Sequence, residues 1–323
     1  MTEKKVIEIV ESEIVLGTFL RRNLDMTRHQ IRQAKYRENG ICVNHERSYT
    51  NRLLHPGDVV EVILENPQET ALPPCPMHRD VKILYEDEDL IVVTKPAGIV
   101  IHPSHGHYEG CLGGMIAWYY AQKNISTKVR PIGRLDKDTS GIMVFAKNQI
   151  SAARLYEQKK DGRFRKMYLA IVSGEPVPSC GVIDAGICRD NTSLMKMKTT
   201  AAEADEGMHA VTHYKIVKRL EGCSVVMVTP ETGRTHQIRV HMASIGHPLL
   251  GDPLYGGDEG SSEKCIEAVA GQASDGSKTA ITRTALHAWK CRFYQPFTGE
   301  ALELEADLPE DMLPWIGRMN DED

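Results

Sequence analysis

The order of elements along the chain predicts an α+β protein built in two parts. A small N-terminal α/β module at residues 12–66 precedes a larger body at 81–308, with a linker at 67–80 between them. Three observations carry this reading. Helical spacing and β-branched runs follow one another without the regular alternation of a βαβ array. Four prolines fall within residues 67–80, where periodicity is lost. From Val81 onward the texture shifts to strand-forming runs.

In the first module Leu16, Leu20 and Leu24 recur at i+4 and predict a short amphipathic helix. Thr27 followed by Gln30 is a capping box, in which hydroxyl and amide each satisfy a backbone group left open at a helix start. The helix it opens is expected to run to the stop signal at Gly40. On that helix Arg28, Arg32 and Lys35 share one face, while Ile31 and Ala34 turn inward. Two short strands, 41–43 and 59–63, follow around the turn His55-Pro56-Gly57-Asp58.

In the body, strands at 83–85 and 90–94 flank the acidic turn Glu86-Asp87-Glu88-Asp89. Further strands are expected at 142–146, 168–172, 210–217, 223–228 and 301–306, and helices at 115–122, 151–158 and 235–244. Residues 257–280, rich in Gly, Ser and Asp, read as a mobile insertion. Residues 309–323 close the chain as an acidic, frayed tail.

The 323 residues, 41% hydrophobic and 26% charged, suit a soluble globular protein. No apolar run is long enough to span a bilayer, and the first residues lack a secretory pattern. A cytoplasmic protein with no membrane role is expected. The cysteines at 42, 75, 111, 180, 188, 223, 265 and 291 contain no CxxC pair, which argues against zinc and redox dithiols. The net charge of −5 is unevenly spread. Residues 21–52 carry eight basic against three acidic side chains (+5), and residues 151–170 six against two (+4). Phosphate binding depends on such local patches, so a nucleic-acid partner stays open.

Two stretches could carry chemistry. Gly133-Arg134-Leu135-Asp136-Lys137-Asp138-Thr139-Ser140-Gly141 displays a carboxylate in a loop ahead of a strand. The same residue types also suit a turn stabilised by Asp138, Thr139 and Ser140 side chains. The run from Thr232 to His241 holds Arg234, His236, Arg239 and His241 at helical spacing, able to bind an anion or pair with a carboxylate. His236 and His241 lack the i+4 spacing of a zinc helix, so no metal is expected.

Together the two stretches resemble the RluA-type pseudouridine synthases, whose signatures are an RLDxxTSG loop and a TGRTHQIRVH segment. Lys95-Pro96-Ala97-Gly98, Lys166-Met167-Tyr168, Gly251-Asp252 and Ala285-Leu286-His287-Ala288 agree in order. Many family members carry His where this chain has Gly133. The N-terminal module resembles the small RNA-binding module first known from ribosomal protein S-four, through Thr27-Arg28, the basic helix, Val43-Asn44 and Pro56-Gly57-Asp58.

The resemblance implies a mixed, largely antiparallel central sheet flanked by helices and loops. It implies isomerisation of uridine to pseudouridine in structured RNA, with no cofactor because nothing is oxidised or added. Asp136 matches the essential carboxylate, Arg234 its expected ion-pair partner, and Tyr168 the residue that stacks on uracil and assists at carbon 5. Arg134, Leu135, Thr139 and Ile238 match positions around the extruded base, with Arg134 able to stack and hold phosphate. Arg28, Arg32 and Lys35 are expected to contact RNA phosphates, and Lys159, Lys160, Arg163, Arg165 and Lys166 to lead the backbone in. The accessory module favours large-subunit ribosomal RNA over transfer RNA, and a monomer is expected. Two rivals remain open from sequence: a non-catalytic RNA-binding or ribosome-assembly factor, and a glycosidase, although the latter usually needs two carboxylates around the bond.

Overall fold

The computed structural model of the chain describes residues 5–24, 26–63, 72, 74–76, 78, 81–103, 110–125, 127–191, 193, 195–200, 207–256 and 281–317. The insertion expected at 257–280, most of the linker and the last six residues lie outside the described residues.

The N-terminal unit holds a four-stranded antiparallel sheet in the order Lys5–Ile9, Val59–Ile63, Ile41–Val43, Glu46–Arg47. Its first strand lies ahead of the expected start at residue 12. It was not legible because a short edge strand owes its existence to a partner far along the chain. Helices Leu16–Arg22 and Arg28–Lys35 cover the sheet, and the capping box forms: the Gln30 amide donates to Thr27 Oγ1 at 3.2 Å and the Thr27 amide to Gln30 Oε1 at 2.6 Å. The second helix stops at Lys35, short of Gly40. Asn39, at φ 51°, takes the left-handed position instead. Gly40 is needed for a different reason: a β-carbon there would lie 2.1 Å from the Ala34 carbonyl oxygen. Leu16, Leu20, Leu24, Ala34, Val60 and Val62 form the core of this unit, and Ile150 from the body completes it.

The body is a ten-stranded mixed sheet. Its main path runs Cys180–Asp184, Val211–Leu220, Cys223–Pro230, Arg165–Ser173, Leu286–Tyr294, Ser140–Ala146, Leu90–Lys95 and Ile83–Glu86. Every neighbouring pair along it is antiparallel except one. Leu286–Tyr294 and Ser140–Ala146 run parallel through the pairs Ser140↔His287 and Gly141↔Ala288. This short seam joins the two halves of the sheet. Gly141, at φ +110°, makes it possible, since a β-carbon there would lie 2.2 Å from the Ala288 carbonyl oxygen. The glycine of the TSG triplet is therefore a sheet-closing residue.

The central strand Leu286–Tyr294 was not expected from the sequence. It is buried along most of its length, yet His287, Lys290 and Arg292 interrupt its apolar pattern. Among the described residues the body's helices are Leu112–Gln122, Gln149–Lys160, Gln237–Ser244 and Leu313–Ile316; the last falls in the expected frayed tail, which instead packs Met312, Trp315 and Ile316 into the core. Gln149–Lys160 also docks the N-terminal unit. Arg154 on it donates to Asn23 O at 2.7 Å and Pro296 O at 2.9 Å, with its guanidinium 4.8 Å from the Phe297 ring centre. Among the described residues no helix is long and apolar enough to cross a membrane.

Candidate active site

The loop that bears Asp136 enters the strand Ser140–Ala146 at the sheet seam. Its shape is fixed by cations acting on its backbone. Lys95 is 1% exposed and donates through Nζ to Pro96 O at 3.0 Å, Ile99 O at 2.8 Å and Lys137 O at 2.8 Å. Burial pushes its pKa down to about 7. Three carbonyl acceptors oppose that push, because only the ammonium form offers three N–H groups at once. Arg283 donates to Asp138 O at 3.0 Å while a bidentate ion pair with Asp311 holds it in place. Ser140 Oγ meets His287 Nδ1 at 2.9 Å, and the Thr139 amide donates to Asp136 O at 3.2 Å.

The second signature folds differently from its helical spacing. The helix begins only at Gln237, and His236 precedes it at φ 55°, a left-handed conformation unusual for a residue with a side chain. Gln237 is the local clamp: its Nε2 donates to Val211 O at 2.9 Å and Thr212 Oγ1 at 3.0 Å, while its Oε1 accepts from the Arg234 amide at 3.0 Å. Arg234 thus leaves the helical phase assumed from its position. It lines the cavity, but its Nε donates to His209 O at 3.0 Å.

The ion-pair partner of Asp136 is Arg239, not Arg234. Arg239 Nη1 donates to Asp136 Oδ2 at 3.3 Å, and Nε and Nη2 grip Asp252 at 2.6 and 2.8 Å. Side-chain exposure falls from 31% at Asp136 to 7% at Arg239 and 0% at Asp252. The buried carboxylate fixes the guanidinium, which then presents one N–H to the accessible one. Burial works against the Arg239 charge, but hydrogen bonding and charge from Asp252, then Asp136, outweigh it and hold the pKa above its ordinary value. Asp252 also accepts from the amides of Leu254 and Tyr255, and the Arg239 guanidinium sits 5.2 Å from the Tyr255 ring centre.

Tyr168 reaches the same place from across the seam, pairing with Ala288, which on its other side pairs with Gly141. A register shift between Met167 and Tyr168 interrupts the strand there, a device that re-aims a side chain. Burial raises the phenol pKa, with Cys291 and Asp136 adding to it, so the hydroxyl keeps its proton at neutral pH.

These groups line one cavity of about 420 Å³. Asp136, Tyr168 and Arg234 all border it, as do Arg134, Leu135, Thr139 and Ile238. Arg134 Nη2 donates to Thr235 Oγ1 at 3.2 Å, tying the two signatures together. Lys166 departs from its expected role of leading RNA in. It borders the cavity, but its Nζ is tied to Ile142 O at 2.7 Å, and burial pushes its pKa down to about 8. Arg163 stays on the surface, paired with Asp161 at 2.6 Å. Arg28, Arg32 and Lys35 line a separate groove on the N-terminal unit with Arg21, Tyr36 and Thr50. The sequence counted Arg239 among the groups able to pair with a carboxylate but gave that role to Arg234, and it gave no part to Lys95 or Gln237, although both sit inside the motifs.

Known proteins are similar to this chain over most of its length. Residues 89–244 match the family RNA pseudouridylate synthase. An RNA pseudouridine synthase of Bacillus subtilis, YhcT, is 37% identical over 274 residues, covering 84% of this chain and 82% of its own length. Ribosomal large subunit pseudouridine synthase D of Pseudomonas aeruginosa is 38% identical over 268 residues, covering 82% and 80%. The solved structure of human RNA pseudouridylate synthase domain containing 4 superposes with a TM-score of 0.57 at 26% identity, covering 72% of this chain and 90% of that one. With its two signatures meeting in one cavity at the seam of a mixed sheet, this chain belongs to the RNA pseudouridylate synthase family and is an RNA pseudouridine synthase.

Proposed function

We propose that the enzyme acts on large-subunit ribosomal RNA, isomerising uridines that are flipped out of their stack, with Asp136 as the catalytic carboxylate. The observation that carries the catalytic assignment is the Asp136–Arg239–Asp252 relay facing Tyr168 in one cavity. Asp136 is the accessible end of that relay, so a carboxylate can meet the ribose or base while its counter-ion stays fixed behind it. The enclosed site suits an extruded pyrimidine, since a base within a helix presents neither its glycosidic bond nor its ring face. Tyr168 offers a ring face, and a phenol that keeps its proton favours stacking over proton abstraction in the first step. The ribosomal target is supported by the similarity to large-subunit synthases from several bacteria.

The N-terminal groove is read as the second RNA contact. Arg21, Arg28, Arg32 and Lys35 line it, and among the described residues no acidic side chain does. Such a surface suits the phosphate backbone.

The test is tritium release from carbon-5-labelled uridine in unmodified large-subunit ribosomal RNA. Asp136→Asn should bind this RNA and release none, with its thermal unfolding midpoint close to that of the parent. Appreciable release by the purified variant sinks the role given to Asp136, whereas release by the parent from transfer RNA alone sinks the choice of target.

A further inference from the structure

Among the charged groups that border the cavity and have no part in the proposed chemistry, Lys159 is set apart by its place. Lys159 lies in the last turn of the helix Gln149–Lys160, and its ammonium borders the cavity. It sits in a slot between two glycines, one from each signature. A β-carbon on Gly133 would lie 2.9 Å from Lys159 Nζ, and one on Gly233 3.5 Å from it. Gly133 is also at φ +82°, where a side chain is strained whatever the space. The residue that replaces the family's commoner histidine is therefore the one that leaves room for the lysine.

The ammonium has no carboxylate bonded to it among the described residues. Its neighbour Lys160 has Glu157, and the acidic residue bordering the cavity beside Asp136, Glu231, is engaged by His213 at 2.6 Å. Burial lowers the Lys159 pKa, with Cys291 opposing and the charge of Arg134 adding to the fall. A half-buried cation beside a second cation is unfavourable until an anion arrives. A nucleotide brings one within reach of both, since the phosphate of an extruded residue must pass the mouth of the cavity.

We propose that Lys159 is a phosphate-binding residue for the extruded nucleotide, admitted to the cavity by Gly133 and Gly233. This rests on the flipped-base reading above and deepens it. The contact positions the nucleotide and carries no sequence information, so its loss weakens binding evenly across RNA targets. Gly133 and Lys159 then act as a matched pair: a side chain at 133 displaces the ammonium as surely as removing it.

The experiment measures binding of in vitro transcribed large-subunit ribosomal RNA, and in parallel bulk transfer RNA, by the Asp136→Asn protein across a series of KCl concentrations. Adding Lys159→Met should weaken binding about tenfold, as for one charge-assisted hydrogen bond. It should also reduce the slope of log K against log salt by about 0.7, as for one phosphate contact with single-stranded RNA. Lys159→Arg should keep the slope. In turnover with Asp136 intact, Lys159→Met should raise KM far more than it lowers kcat. Gly133→Ala should reproduce that rise and add little to it in the double variant. An unchanged salt slope on both RNAs, a loss confined to kcat, or additive effects of the two substitutions would each overturn the proposal. Failure of the Asp136 assignment appears separately, as tritium release by Asp136→Asn itself, and failure of the flipped-base reading as no rise in the fluorescence of 2-aminopurine placed beside the target uridine when Asp136→Asn binds.

Discussion

Two cavities in this protein are lined by cations, and they are built on opposite terms. The groove of the N-terminal unit gathers Arg21, Arg28, Arg32 and Lys35 at the surface, with no acidic side chain in its lining among the described residues. At and behind the candidate active-site cavity the cations are buried or nearly so and saturated: Arg239, which borders it, by two carboxylates, and Lys95 and Arg283, which lie behind it, by three carbonyls and by Asp311 with three carbonyls. Burial explains the difference. A charge taken out of water must find partners in the protein, whereas an exposed one keeps its hydration and stays available to a ligand. On the proposed reading, saturated cations such as these hold the site in shape, while the unsaturated ones, in the groove and at Lys159, are left to meet phosphate.

The largest effect should come from breaking the inner relay. Arg239→Met leaves Asp252, whose side chain is fully buried, with only the Leu254 and Tyr255 amides for a counter-charge. The expected loss is about 3–5 kcal/mol, the usual consequence of stranding one member of a buried pair. Denaturant unfolding should show a lower midpoint with an unchanged m-value. Adding Asp252→Asn should return part of the stability, since the stranded charge is then gone, while isomerisation stays lost because Asp136 has no counter-ion. If Arg239→Met unfolds at the parental midpoint, the inner cavity is no different in kind from the outer groove.

Lys95→Met probes the same contrast at lower cost. It strands up to three carbonyls, one of them on Lys137, although the Gly98 amide still reaches that oxygen at 2.9 Å. A loss of about 1–3 kcal/mol is expected. Lys95 borders no part of the cavity, so it acts on Asp136 only through the loop. Accordingly kcat should fall while KM for RNA stays close to parental. A rise in KM with kcat intact would show that Lys95 meets substrate instead.

Much of this was legible in the sequence. The capping box at Thr27 and Gln30 was readable because all its atoms lie within one turn of helix. The strands at 142–146 and 223–228 were readable because they are apolar runs, broken only by Ser224 in the second, and buried along nearly all their length. The ion-pair partner of Asp136 was not. Helical phase counted from Thr235 placed Arg234 and Arg239 on different faces, but the helix starts at Gln237, and the turn at His236 resets the direction of what precedes it. Nor does local pattern reveal Asp252, thirteen positions beyond Arg239, as the carboxylate that holds the arginine still. The strand Leu286–Tyr294 escaped for a related reason. Its polar residues meet distant partners, Ser140 at the Nδ1 of His287 and Glu305 at Lys290. Such pairings exist only once the sheet has closed.

The smallest effect on the fold, and the sharpest on encounter with RNA, should come from the outer groove. Arg28 and Arg32 are exposed on the second helix, and among the described residues neither is bonded to an acidic side chain. Replacing both with glutamate should move the folding stability by no more than about 0.5 kcal/mol each, the range for surface positions. The capping box at Thr27 remains; a glutamate at 28 suits the positive end of the helix, whereas one at 32, in the last turn, faces its negative end, so the two small effects oppose each other. RNA binding should respond quite differently. Two lost phosphate contacts flatten the salt slope by about 1.4 for single-stranded RNA, before repulsion by the new carboxylates is added. Stability that falls by several kcal/mol would mean that these arginines are structural after all. An unchanged salt slope in a stable variant would leave the groove without a phosphate-binding role, and the contrast with the inner cavity would then be one of burial alone.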